Sequence, residues 1–195
     1  MTHRDYAEAE KPGLSRRDLA LGAATLAGMV GAGFGISKSN EKAARTRVSA
    51  LDSLVVPGLP GLVGPNGWPT PGLSMAALRG RVALVHAFSS WCPVCFSEYD
   101  FIKTLGSDPR YVLAGLIVMD REDPARKFIA SRGNPHAVLG FDGSGEAARR
   151  LRIGAVPRTI VFDGQGRIVE TVPGSLSAGY FREKVEPAIA RALRA

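Results

Sequence analysis

A chain of 195 residues with 45% hydrophobic and 22% charged residues can enclose one domain with a real core, and this balance excludes a largely disordered protein. The formal net charge of +7 is spread along the chain, so a solvated basic surface is expected and a nucleic-acid arm is not. Two cysteines, at 92 and 95, cannot make a multi-bridge framework and are too close to staple distant elements.

Residues 1–37 read as an export signal or an amino-terminal membrane anchor. Met1 to Arg17 is polar and carries Arg4, Lys11, Arg16 and Arg17, and Leu19 to Ile36 is an uncharged run rich in Gly and Ala. Eighteen helical residues span roughly 27 Å, near the lower limit for a bilayer core, so residues 19–36 either remain as a tether or leave with a cleaved signal. Ser15-Arg16-Arg17-Asp18-Leu19 resembles the twin-arginine export motif, and Val48-Ser49-Ala50 has the small-x-small form of a processing site. Residues 38–55 are charged and rich in small side chains, which suits a linker, and residues 56–195 are assigned to the folded domain.

Between Val56 and Gly72 the chain intersperses Pro57, Pro60, Pro65, Pro69 and Pro71 with glycines, so it must be extended or turning, and it is expected to wrap an edge of the domain. Arg81–Phe88 has the pattern of a buried strand. Pro93–Leu105 reads as a helix whose proline occupies the first turn, where no intrahelical donor is required. A second apolar strand is expected over Val112–Met119, a short helix over Pro124–Ser131, a brief strand over Ala137–Phe141 and a helical piece over Glu146–Leu151. Thr159–Phe162 and Arg167–Thr171 flank the turn Asp163-Gly164-Gln165-Gly166 and predict a hairpin, and Tyr180–Leu193 closes the chain as an amphipathic helix.

The sequence Trp91-Cys92-Pro93-Val94-Cys95 stands where the first strand gives way to the first helix. Thiols two residues apart can close a disulfide across the first helical turn, and the helix amino terminus stabilises the thiolate of the first. Cys92 is therefore the expected attacking thiol and Cys95 the resolving one. Covalent haem would need histidine directly after Cys95, where Phe96 stands, and His3, His86 and His136 lack metal-ligand spacing. No Gly-rich strand-to-helix dinucleotide motif occurs either, so no cofactor and no metal are expected and a partner must supply electrons.

A βαβ unit followed by ββα around this pair resembles the thioredoxin fold, an α/β architecture with a central mixed sheet flanked by helices; the resemblance covers roughly Leu73–Leu193. It rests on two stretches, the cysteine motif and Gly154-Ala155-Val156-Pro157 leading into a strand. The resemblance implies that Pro157 is a cis-proline facing the dithiol and that Val156 offers backbone groups to a bound peptide. Trp91 to Glu98 and Gly154 to Ile168 look more narrowly like the periplasmic thiol:disulfide interchange proteins of cytochrome c biogenesis, the DsbE/CcmG type, with TlpA/ResA-like reductants close behind. That likeness implies a reductant on the periplasmic side of the cytoplasmic membrane, anchored or released after export. Its clients would be protein disulfides such as those of apocytochrome c, and a membrane or periplasmic dithiol would donate the electrons. Reduction of copper-site or other periplasmic proteins, or peptide holding without turnover, are the alternatives.

Two positions depart from that pattern. His86 occupies the place of a buried acidic residue in many thioredoxins and of an asparagine in the cytochrome group, and Arg158 follows Pro157 where that group typically has glutamate. His86 is either a hydrogen-bonded core residue or a proton carrier for Cys95. Glu98, three residues past Cys95, matches a commonly acidic position and is expected at the rim of the site or facing solvent. Trp91 either packs beneath the dithiol and presents a flat apolar surface to a client or is plain core packing. Together with Pro93, Val94 and Val156, Arg158 completes the expected client-binding set.

Overall fold

The computed structural model describes residues 51–195. The expected export segment 1–37, with its twin-arginine motif and the 19–36 tether, and residues 38–50 of the expected linker lie outside the described residues. Leu54 is buried and Leu51 packs against the same core, so the folded unit begins inside the stretch assigned to the linker.

Strand β1 (Val55–Val56) pairs antiparallel with β2 (Leu73–Ser74), and the proline-rich segment runs between them. Neither two-residue strand shows in the sequence, because the pattern around them is set by turns. The segment lies along the sheet: the Pro71 carbonyl accepts from the Leu139 N–H at 2.9 Å and the Pro57 carbonyl from the Phe141 N–H at 2.7 Å. Proline cannot donate, but its carbonyl accepts normally, so such a segment can close an edge.

The main sheet contains β3 (Ala83–Phe88), β4 (Val112–Val118), β5 (Val138–Asp142), β6 (Arg158–Phe162) and β7 (Ile168–Pro173) in the order β5-β4-β3-β6-β7. Strands β3, β4 and β5 run parallel, and β6 and β7 pair antiparallel on the other side of β3. Every residue of β3 and β4 is buried, as expected for central strands covered on both faces.

Helices α1 (Pro93–Leu105), α2 (Glu122–Arg132), α3 (Glu146–Arg150), α4 (Ala178–Tyr180) and α5 (Glu186–Ala192) supply the layers. Period-two alternation divides β3 between them. Ala83, Val85 and Ala87 pack with Ala147, Ala148 and Leu151 around α3. On the opposite face, Leu84 packs with Ile102 of α1 and Ile189 of α5, while Phe88 packs with Tyr99 of α1 and Phe128 of α2.

Helix α1 has the bounds read from the sequence. The closing helix differs: Ser177 accepts the Tyr180 N–H at 3.2 Å and starts it earlier, and Phe181–Val185 between α4 and α5 is π-helical. Pro187 explains the widened stretch, because it has no N–H to give and its ring crowds the preceding turn.

Candidate functional site

Cys92 is the amino-terminal cap of α1, with extended backbone, and its Sγ accepts the Cys95 N–H at 3.1 Å. Pro93 fills the first turn without leaving a donor unpaired. Cys92 and Cys95 are joined by a disulfide with Cα atoms 5.3 Å apart. Cys95 is fully buried, whereas Cys92 retains 5% exposure, so whatever reaches this bond from solvent meets Cys92 first. The Val156–Pro157 peptide is cis, and the Val156 carbonyl oxygen lies 3.8 Å from Cys92 Sγ. The two stretches singled out in the sequence therefore face one another.

The loop into the helix is held by the end of β4. Ser89 donates its hydroxyl to the Val118 carbonyl, and Ser90 donates both its N–H and its hydroxyl to the Asp120 carboxylate at 2.5 and 2.9 Å. The Trp91 indole N–H donates to the Met119 carbonyl at 2.9 Å. This bond turns the Trp91 ring outward, and 58% of the residue is exposed, so it neither underlies the dithiol nor joins the core. Val94, Phe96 and Met119 are likewise about half exposed, and with Trp91 they leave apolar surface on the segments that flank the disulfide. Arg158 opens β6 directly after Pro157; it is half-buried, and its Nε has no hydrogen-bond partner among the described residues.

Glu98 departs most from expectation. It is buried rather than at a rim, and its Oε1 lies 3.0 Å from His86 Nε2, while its Oε2 accepts the Leu176 N–H at 2.6 Å. The spacing carried the signal, since Cys95, Glu98, Tyr99, Ile102 and Leu105 form the buried stripe of α1. His86 is not alone in its strand environment either. Its Nδ1 lies 3.4 Å from Nε2 of His136, whose own Nδ1 lies 3.2 Å from Asn134 Oδ1. His86, His136 and Phe88 stack, with ring centres 5.0 to 5.6 Å apart.

No local feature of the sequence joins His86 to His136. They meet because β3, β4 and β5 run side by side and because Gly115 of β4, the register partner of His86, carries no side chain. A Cβ at position 115 would stand 2.8 Å from His136 Cγ. Gly115→Ala is therefore expected to displace the His136 ring and cost about 1–3 kcal/mol in chemical denaturation, with the His136 ring resonances shifting in the same protein.

Burial, and secondarily the neighbouring His86, holds the His136 pKa well below the ordinary histidine value. The native chain then resists a proton that the unfolded chain accepts below about pH 6.5. Stability contributed by neutral His136 is present above that pH and is lost as pH falls toward the depressed native value. Unfolding free energies from denaturant titrations should decline with a slope of up to about 1.4 kcal/mol per pH unit over this window, a component that His136→Phe removes. The Tyr99 hydroxyl, which donates to the Gly133 carbonyl at 3.1 Å, is pushed above its ordinary pKa by burial.

Among the described residues no cluster of three or more His, Cys, Asp or Glu side chains could hold a metal ion, and no helix is long and apolar enough to cross a membrane.

The redoxin family pattern matches residues 72–188. The thiol:disulfide interchange protein CycY of Rhizobium leguminosarum bv. viciae is 31% identical over 123 residues, which is 63% of this chain and 66% of CycY, just under two thirds of its length. The thiol:disulfide interchange protein HelX of Rhodobacter capsulatus is 30% identical over 165 residues, 85% of this chain and 91% of HelX. A secreted disulfide oxidoreductase of Mycobacterium tuberculosis, described as homologous to Escherichia coli DsbE, superposes with a TM-score of 0.56 at 17% identity. The match covers 75% of this chain and 98% of that one, a likeness of fold.

Proposed function

We propose that this chain, which belongs to the redoxin family and is a thioredoxin-fold thiol–disulfide oxidoreductase related to the DsbE/CcmG/TlpA interchange proteins, reduces client-protein disulfides on the periplasmic side of the cytoplasmic membrane. The observation that carries the reading is the placement of Cys92 Sγ at the amino terminus of α1, opposite Val156 and cis-Pro157, with Cys95 sealed behind it.

In the reduced protein the Cys92 thiolate attacks one sulfur of a client disulfide. The client S–S bond breaks, a mixed disulfide forms, and the departing client thiolate takes a proton. Cys95 then loses its proton and attacks Cys92 Sγ, which releases the second client thiol and closes the Cys92–Cys95 bond. Two electrons pass from protein to client, and a dithiol donor in the envelope must return them. Glu98, one turn after Cys95 on α1, and His86, paired with it from β3, exchange the proton of the resolving thiol.

An extended client segment lies along Val156, whose backbone stands beside Cys92, with the exposed apolar side chains of Trp91 and Val94 and the ring of Pro93 bordering it. Arg158, with an unpaired Nε, selects partners with an acceptor at that edge. The favoured client is an apocytochrome c whose haem-binding thiols are oxidised, a choice supported by the likeness of residues 91–98 and 154–168 to the cytochrome-biogenesis group. Residues 1–37 deliver the domain across the membrane or tether it there.

A Cys95→Ser variant expressed with its natural partners is expected to accumulate mixed disulfides through Cys92, and mass spectrometry of the adducts names the clients. Recovery of apocytochrome c supports the specific reading, and adducts with copper-site proteins redirect it. An absence of adducts, together with a wild-type pair that does not turn over insulin disulfides, leaves a peptide-holding module instead.

A further inference from the structure

From the strap through Asn134, His136 and His86 to Glu98 of α1 runs a chain of polar groups whose donor and acceptor roles can be assigned one after another. Asn134 Nδ2 faces the Val63 carbonyl at 3.2 Å and Thr70 Oγ1 at 2.9 Å. A carbonyl only accepts, so this side of the amide is its NH2, and Asn134 Oδ1 is the acceptor that also takes the His136 backbone N–H at 3.1 Å. His136 Nδ1, 3.2 Å from the same oxygen, must therefore carry hydrogen. With His136 fully buried and neutral, its Nε2 is left as a bare acceptor, and His86 Nδ1 must donate to it. His86 has then spent its first proton away from Glu98. Between His86 Nε2 and Glu98 Oε1, 3.0 Å apart, a further proton is required, because two bare lone pairs would otherwise face each other in the interior.

We infer that Asn134 and His136 are positioning residues that oblige the buried His86–Glu98 pair to hold one proton between them while the Cys92–Cys95 disulfide is closed. The pair is neutral overall, as imidazolium with carboxylate or imidazole with carboxylic acid, which suits two side chains each only 1% exposed. The Leu176 N–H on Glu98 Oε2 supports either form.

This deepens the reading above and rests on it for one step. When a donor thiolate attacks Cys92 and the S–S bond breaks, Cys95 leaves as a buried thiolate. The stored proton neutralises it, and the imidazole Nε2 and carboxylate oxygen then left bare against each other draw a proton back once Cys95 is next deprotonated. When Cys95 later resolves a mixed disulfide, its proton returns to the pair. Of the other titratable groups, Cys95 lies three residues before Glu98 on α1, Cys92 caps that helix, and Tyr99 of α1 has its ring centre 6.2 Å from that of His136. Strand β6 presents the uncharged Thr159 opposite His86, and the charge of Arg132 of α2 acts on Tyr99.

The test is 15N NMR of the imidazole nitrogens in the oxidised full-length protein. His136 is expected with hydrogen on Nδ1 and none on Nε2, and His86 with hydrogen on Nδ1. Hydrogen on His136 Nε2 would overturn the inference whether or not the protein reduces any client. Asn134→Leu removes the acceptor that starts the chain. It should release His136 to the other tautomer and move the pH profile of thiol–disulfide exchange by about one pH unit. An unmoved profile with a switched tautomer would also overturn it, since a residue that merely packs changes stability and leaves the profile in place. Failure of wild-type exchange with the stated tautomers would instead remove the reductase reading and leave the proton assignment standing.

Discussion

Cys92→Ser is expected to remove turnover entirely, a loss of at least about a thousandfold in the reduction of a disulfide substrate, with the folded domain retained. The serine keeps the cap position at the start of α1, because a hydroxyl oxygen accepts the Cys95 N–H as the sulfur does. It does not ionise near neutral pH, and no other thiol is available, since Cys95 is sealed in the interior. Rates measured with insulin or a fluorescent disulfide peptide, beside a melting curve of each protein, separate lost chemistry from lost fold. Residual turnover above about one tenth of wild type would mean that Cys95 is reached directly, against its burial.

The second large effect belongs to Glu98. Glu98→Ala strands His86 Nε2 and the Leu176 N–H in the interior and should cost about 3–5 kcal/mol in urea denaturation of the oxidised protein. Removing both polar partners together, as Glu98→Leu with His86→Phe, leaves less polarity unpaired and should recover a substantial part of that loss. The coupling between the two positions is then expected to be at least about 2 kcal/mol. Additive single effects would mean that the pair is not energetically linked, and the proton store would lose its basis.

How far each feature could be read from the sequence follows from the range over which its cause acts. Helix α1 was legible to the residue because its start is set locally, by a capping side chain and Pro93, and its stop by Gly106. The central strands were legible because burial on both faces makes a continuous apolar run of Val112–Val118. The opposition of Cys92 and Val156-Pro157 came from the family pattern alone, since nothing between them fixes their distance. Glu98 was misplaced although its position on the apolar stripe of α1 was visible, because a lone carboxylate is seldom buried and its partner was not known to be near. His136 could not be placed at all: its contact with His86 is made across β4 and depends on a strand order that emerges only on folding. The break in the closing helix had its cause in view at Pro187, yet a widened turn and a kink have the same residue as their signal.

The proline-rich strap has a consequence for assembly. Its Pro57 and Pro71 carbonyls occupy the N–H groups of Phe141 and Leu139, so no free donor at either position can recruit a foreign strand. The strap also bears on the interior through Thr70 and Val63, both bound by Asn134. A protease cut or insertion near Asn66, at the outer turn of that segment, would therefore be felt at the histidines and would expose an adhesive border along β5.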